Sequence, residues 1–193
     1  MNKRHRILLA SGSPRRRELL AQLPIDFDAL AMDIDESYID GESPSEHVTR
    51  LARAKAMAGF RLRKGGLPAL GSDTIVLLDG EILGKPQSRR DAENMLGRLS
   101  GRSHQVYSAV ALAVSADTLF DALNITTVTF AEMPAPWIRQ YCQTDEPMDK
   151  AGAYAVQGGT GQFISRIDGS YSGVMGLPLF ETAALLRGAG LLS

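Results

Sequence analysis

The chain has 193 residues, of which 44% are hydrophobic and 22% charged, a composition that can bury the core of one domain. Its formal net charge of -1 excludes a global attraction to nucleic acid or to an anionic membrane, so any affinity for phosphate must come from a local cluster of cations. The single cysteine, Cys142, excludes an internal disulfide, and no apolar run approaches the roughly 20 residues of a membrane span, so we expect a cytoplasmic protein.

The first predicted elements are a strand and a helix joined by a turn that suits an anion. The apolar run from Ile7 to Ala10 predicts a buried strand, and Ser11 and Ser13 follow it directly. Ser13 is a good N-cap and Pro14 fits the first position of a helix. Because the first N–H groups of a helix attract negative charge, this turn favours a phosphate.

Arginines at the start of this helix are a second indication of an anion. Arg15, Arg16 and Arg17 occupy its first turn, where the helix dipole disfavours cations. Arg16 also shares a face with leucines further along, so it must reach a partner or extend past the helix end to water. Together with the serines, these arginines favour a phosphate site over a solvated helix end.

The next elements present a pair of acidic residues. A second strand is predicted from Phe27 to Met32, which would place Asp35 and Glu36 just beyond its end. Ligand sites in α/β proteins commonly lie past the ends of strands. A solvated acidic loop is the alternative interpretation of the same pattern.

A lysine lies on the apolar face of the following helix. The capping box Ser43-Pro44-Ser45-Glu46 predicts a helix to about Leu62, ended by Gly65-Gly66. Lys55 falls near the middle of the apolar stripe that includes Val48, so it faces the interior. Such a lysine either forms a structural salt bridge or waits for an anionic ligand, and the residues alone leave both open.

Asp73 lies between two apolar runs in the region from Leu67 to Leu78. An acid in such a place needs a partner, although it could also be a turn residue that bonds its own backbone. Asp79-Gly80 then predicts a hairpin. Lys85, which Pro86 holds in an extended conformation, could reach a phosphate or be an ordinary surface lysine.

The rest of the chain continues the alternation of helices and strands. The predicted elements are a helix capped by Ser88, antiparallel strands over Gln105–Val114 and Thr118–Phe130, a short helix over Pro134–Cys142, a glycine-rich segment beside Gln157, and a helix from Pro178 to Gly188. This order predicts an α/β fold, with a mixed twisted sheet flanked by helices, in one compact unit with a cleft. Gln157 could read the edge of a base, although a loop glutamine often has no function.

Seven short motifs resemble the signatures of the Maf family of nucleoside triphosphate pyrophosphatases. They follow in order, at fitting spacing, from Ile7 to Leu186, and are Ser11-Gly12-Ser13-Pro14-Arg15-Arg16, Asp35-Glu36, Arg53-Ala54-Lys55-Ala56, Gly71-Ser72-Asp73-Thr74, Gly84-Lys85-Pro86, Ala151-Gly152-Ala153-Tyr154 and Gly176-Leu177-Pro178. The resemblance implies one domain over residues 1–193, with two lobes around a central nucleotide-binding cleft. It also implies that this domain hydrolyses a nucleoside triphosphate to its monophosphate and pyrophosphate. Ala54 departs from the family, which often has glutamate before the lysine, and we expect this to loosen whatever orients Lys55.

The resemblance also implies roles for individual residues. Asp73 matches the proposed general base, and Glu36 and Asp73 would hold a divalent cation, Mg²⁺ or Mn²⁺. The implied substrate-binding residues are Ser11, Ser13, Arg15, Arg16, Lys55, Thr74, Lys85 and Gln157. Such a set of cations and carboxylates suits water attack on the α-phosphorus with a pyrophosphate leaving group.

Three of these positions bear on which nucleotide is bound. Arg15, Thr74 and Gln157 make the chain more similar to the dTTP and UTP branch than to the 7-methyl-GTP branch. The alternatives are an enzyme of the 7-methyl-GTP branch, a phosphatase that releases orthophosphate, and a non-catalytic nucleotide-binding regulator of cell division. The expected partner is a small-molecule nucleoside triphosphate rather than nucleic acid or membrane, and a homodimer is left open.

Overall fold

A computed structural model describes residues 5–62 and 66–193 of the chain. The strands are β1 (Arg6–Leu9), β2 (Asp26–Ala29), β3 (Ala69–Leu78), β4 (Glu81–Leu83), β5 (Ser103–Ala113), β6 (Leu119–Phe130) and β7 (Ile164–Asp168). The α-helices are α1 (Pro14–Leu20), α2 (Pro44–Leu62), α3 (Arg89–Leu99), α4 (Ala135–Tyr141), α5 (Tyr171–Met175) and α6 (Leu179–Gly188). Short 3₁₀ helices cover Glu146–Asp149, Ala151–Ala153 and Gly159–Phe163.

The strands form one mixed sheet, as the sequence predicted. Its order is β2-β1-β3-β5-β6-β7, with β4 paired to β3. Strand β1 is parallel to both β2 and β3, whereas β3 with β4 and β6 with β7 are antiparallel. Strands β5 and β6 are neighbours, and the short connection between them requires an antiparallel pair.

The chain divides into two compact units. The first comprises the chain up to Asp73 together with Ser108–Asn124 and Gly176–Ser193, and the second comprises Thr74–Tyr107 and Ile125–Met175. Fully buried leucines and isoleucine fill the first unit, among them Ile7 and Leu70. In the second unit, Phe130 and its neighbours pack over α3 and α4. The lone cysteine, Cys142, is buried in that core, and burial raises the pKa of its thiol to about 11, so it is a packing residue.

Local sequence signals for helix starts and turns are confirmed. Ser13 is the N-cap of α1, and its Oγ accepts a hydrogen bond from Arg16 N over 3.5 Å. In the capping box of α2, Ser43 N donates to Glu46 Oε2 over 2.8 Å while Glu46 N donates to Ser43 Oγ. The hairpin after β3 has positive φ at Asp79 (54°) and at Gly80 (83°), as a tight two-residue turn requires.

Two boundaries near the predicted site differ from the expectation. Strand β2 ends at Ala29 rather than Met32, because its partner β1 ends at Leu9, opposite Ala29. Asp35 and Glu36 therefore lie within an irregular segment rather than directly at a strand end. The predicted interruption around Asp73 is absent, because β3 runs unbroken from Ala69 to Leu78 beside β5, while β1 and β4 pair only with its two ends. The glycine predicted to end α2, Gly65, lies outside the described residues.

None of the helices in the described part of the chain is both long and apolar enough to cross a membrane.

A buried histidine makes the stability of the second unit depend on pH. His104 is 3% exposed, its Nε2 lies 2.7 Å from the Tyr154 hydroxyl, and burial lowers its pKa to about 4. As pH falls, this histidine therefore gains its proton near pH 6.5 in the unfolded chain but only near pH 4 in the folded protein. We expect the free energy of unfolding to fall between pH 6.5 and 4, by up to about 3 kcal/mol.

Urea denaturation at several pH values measures this loss. His104→Gln should flatten the pH dependence in that interval, whereas His5→Gln, at an exposed histidine, should leave it as in the wild type. Equal slopes for the wild type and His104→Gln would contradict the assignment.

Candidate active site

Two carboxylates converge on one buried lysine in the first unit. Lys55 Nζ donates to Asp73 Oδ1 over 2.7 Å and lies 2.6 Å from Glu36 Oε1. Lys55 and Asp73 are each only 8% exposed, whereas the Glu36 side chain is 54% exposed. The lysine faces inward as predicted, and its neighbours here are the two acidic residues. Because Asp73 lies in the middle of a strand, it is not a turn residue.

Close packing of α2 on β3 explains why Lys55 meets Asp73. Gly71 and Asp73 share one face of β3, since alternate residues of a strand point the same way. A Cβ at Gly71 would lie 2.3 Å from Ala52 O and 2.5 Å from Ala56 N of the helix. Only glycine permits this approach. The turn of α2 between Ala52 and Ala56 contains Lys55, so the lysine lies beside Asp73.

Arg16 has a structural partner that the sequence did not predict. Its Nε donates to Gly176 O over 2.7 Å, and its NH1 donates to Ser11 Oγ over 3.4 Å. Burial lowers the pKa of the Arg16 guanidinium, and the negative charge of Asp73 opposes part of that effect. The guanidinium is thus fixed beside the serine turn rather than extended into water.

Ser72 was missed by the sequence interpretation. It is fully buried, and its Oγ lies 2.8 Å from Ala109 O and 2.9 Å from Gly176 O. Ser72 and Arg16 therefore hold the same carbonyl, which joins β3, α1 and the segment before α6. Its place in the motif next to Asp73 was the only signal, and a buried serine there is typical of structural hydrogen bonding.

The serine turn before α1 is already ordered by its own hydrogen bonds. Ser11 is 6% exposed and its Oγ accepts from Ser13 N over 3.2 Å. Each hydroxyl that accepts a hydrogen bond still has a proton to donate. Arg15 is half-buried beside them. The turn thus keeps hydroxyl donors and cations in one place.

The remaining predicted site residues belong to the second unit. Thr74 follows Asp73 in β3 and is half-buried. Lys85 is exposed in the bend before Pro86, and Gln157 is exposed in a turn at the glycine-rich segment. The Lys85 bend is attached to the second 3₁₀ helix by a hydrogen bond from Gly152 N to Gly84 O over 3.1 Å.

The carboxylates that face Lys55 are compatible with one hydrated divalent cation. Glu36 and Asp73 each place one carboxylate oxygen within 2.7 Å of Lys55 Nζ, so the two oxygens lie close together. Mg²⁺ is often held by one or two carboxylates together with substrate phosphates. Over residues 5–62 and 66–193, no group of three or more histidines, cysteines or acidic residues could hold a metal by itself. The donor set therefore fits a cation shared with a phosphate ligand and does not fit a metal cage made of protein alone.

Comparisons with known proteins agree with the motifs. The dTTP/UTP pyrophosphatase of Vibrio vulnificus is 48% identical over 183 residues, covering 95% of this chain and 98% of its own length. That of Cupriavidus metallidurans is 51% identical over 195 residues, covering 96% of this chain and 97% of its own length. The Staphylococcus aureus Ham1 protein shares the fold at a TM-score of 0.52 and 16% identity, with 95% of this chain and 99% of that chain covered.

The family model described as Maf-like protein matches residues 6–189, which span the serine turn, the Lys55 cluster and the final helix. The order of the seven motifs predicted this relationship, and the chain belongs to the family of Maf-like proteins.

Proposed function

We propose that the protein hydrolyses nucleoside triphosphates, with dTTP and UTP preferred, to nucleoside monophosphate and pyrophosphate. The observation that carries the proposal is the buried Asp73, held at 2.7 Å from Lys55 and accompanied by Glu36. Both curated relatives described above are named dTTP/UTP pyrophosphatase, which supports the same reaction here. The proposed role is the removal of unusual or modified nucleotides, and the proposed compartment is the cytoplasm.

Asp73 would act as the general base in this reaction. A water beside its carboxylate would lose a proton to it and attack the α-phosphorus, so that the bond to the bridging oxygen breaks and pyrophosphate leaves. Lys55, which contacts Asp73 Oδ1 at 2.7 Å, would hold that carboxylate in place for the proton transfer. No covalent intermediate is needed.

Cations and hydroxyl donors would bind the triphosphate. Arg15, Lys55 and Lys85 supply positive charge for the phosphates, and Ser11 and Ser13 supply hydroxyl protons. Arg16, held by the Gly176 carbonyl, would keep its fixed charge beside the serine turn. Pyrophosphate leaves as an anion, so stabilising its charge matters more than protonating it.

Glu36 and Asp73 would hold the divalent cation, Mg²⁺ or Mn²⁺. When bound, such a cation supplies Lewis-acid polarisation of the phosphoryl oxygens. The exposed Glu36 and the buried Asp73 would each supply one carboxylate to that site. Thr74 and Gln157, with Arg15, would select the base.

The products formed from a panel of triphosphates test the proposal. With Mg²⁺ or Mn²⁺, purified protein should convert dTTP and UTP to the monophosphates and pyrophosphate, as resolved by ion chromatography. Orthophosphate with a nucleoside diphosphate would show that the reaction is wrong. If 7-methyl-GTP is the best substrate, the assigned branch is wrong, and binding without turnover would favour a non-catalytic regulator.

A further inference from the structure

Glu36 lies on a segment that has no regular structure of its own. Residues 30–43 connect β2 to α2 without a helix or a strand. Most side chains in this segment are exposed, yet Glu36 Oε1 reaches Lys55 Nζ at 2.6 Å. A carboxylate on such a segment keeps a defined position only if something holds the backbone around it.

Arg50 of α2 holds this segment at two points, the Glu42 side chain and the Ser37 backbone. Its Nε donates to Glu42 Oε1 over 2.6 Å, and its NH2 donates to Glu42 Oε2 over 2.9 Å. The same NH2 also donates to the carbonyl oxygen of Ser37 over 3.0 Å. Ser37 directly follows Glu36, so one planar guanidinium fixes both the end of the segment and the residue next to the carboxylate.

Glu42 is itself well anchored. Its side chain is only 8% exposed, and His47 Nδ1 of α2 lies 3.0 Å from Oε2. The Tyr38 hydroxyl donates to the Glu42 carbonyl, and the Tyr38 ring packs on the His47 ring at 5.1 Å between centroids. Hydrogen bonds from Arg50 lower the pKa of Glu42 to about 2, so the pair is fully charged at neutral pH.

We infer that Arg50, paired with Glu42, is the positioning residue for Glu36. One helix then controls Glu36 twice, since Lys55 contacts its carboxylate and Arg50 holds the adjacent backbone. Lysine is not equivalent to Arg50 here, because its compact ammonium lacks the planar fork that binds both carboxylate oxygens side by side and also reaches the carbonyl. This inference rests on the proposed function, in which Glu36 orients the divalent cation.

Arg50→Lys tests the inference, with Arg53→Lys as its matched control. Arg53 lies on the same helix and also donates through Nε to a carboxylate, that of Asp121 at 2.8 Å, but Asp121 belongs to β6. Arg50→Lys should lower kcat by about 10- to 100-fold. It should also raise the Mn²⁺ concentration for half-maximal activity and change the KM for UTP little, whereas Arg53→Lys should match the wild type.

Hydrogen–deuterium exchange provides a readout that does not depend on turnover. Amides of residues 30–43 should exchange faster in Arg50→Lys and in Glu42→Gln than in the wild type or Arg53→Lys, while α2 stays protected. Exchange in this segment that does not change would overturn the inference. General loss of protection, with α2 included, would show a role in stability alone and would overturn it as well.

A double variant separates failure of this inference from failure of the proposed function. If Arg50 acts through Glu36, adding Arg50→Lys to Glu36→Gln lowers kcat no further, and independent, multiplying losses would overturn the inference. If Glu36→Gln alone turns over like the wild type, the proposed role of Glu36 fails, and exchange in residues 30–43 still decides whether Arg50 holds the segment.

Discussion

Asp73→Asn is expected to lower kcat for dTTP and UTP by about 10²- to 10⁴-fold, the usual effect of removing a general base. Asparagine keeps the size of the side chain and can still accept a hydrogen bond from Lys55, but it cannot take a proton from water. Nucleotide binding should persist, because the cations of the serine turn remain and Lys55 keeps Glu36 at 2.6 Å. The loss should thus appear in kcat rather than in the dissociation constant.

Single-turnover experiments measure the rate of the chemical step, and calorimetric titration with a non-hydrolysable nucleotide measures the dissociation constant. Asp121→Asn serves as the control, because it changes the same side chain at an ion pair with Arg53 outside the cluster. If Asp73→Asn retains near wild-type turnover, Asp73 is not the base.

Lys55→Met is expected to lower both stability and turnover. Asp73 is 8% exposed and would lose its cationic partner, and breaking a buried ion pair costs about 3–5 kcal/mol. Repulsion between Asp73 and Glu36, which Lys55 now bridges, adds to the cost. Urea denaturation without nucleotide measures the loss. Lys150→Met is the control, since its side chain is similarly covered (12% exposed against 10%) but its acidic partner Asp149 is exposed.

The double variant Lys55→Met/Asp73→Asn decides whether Lys55 also binds phosphate. Removing the stranded charge should restore most of the stability. If Lys55 contacts the triphosphate, the double variant should bind a non-hydrolysable nucleotide about 10- to 150-fold more weakly than Asp73→Asn alone, in line with the roughly 1.5–3 kcal/mol of a charged hydrogen bond. Equal affinities would show that Lys55 is only the structural partner of Asp73.

Features that depend only on residues a few positions apart in the chain could be predicted from the sequence. The caps at Ser13 and Ser43, the hairpin at Asp79-Gly80 and the inward face of Lys55 all follow from contacts between residues at most a few positions apart. Their geometry is set by local backbone conformation and by the helical repeat, so no tertiary information is needed. The motif order likewise predicted the family, which the family model confirms.

Only the tertiary structure decided where strands end and which partners the charged groups have. Strand β2 stops where β1 stops, whereas β3 continues through Asp73 beside β5 in the sheet. Arg16 meets the Gly176 carbonyl across 160 positions of sequence, and Lys55 meets carboxylates from two different segments. A strand needs a partner to satisfy its backbone and a buried charge needs a counter-charge, and both depend on residues that only the folded chain brings together.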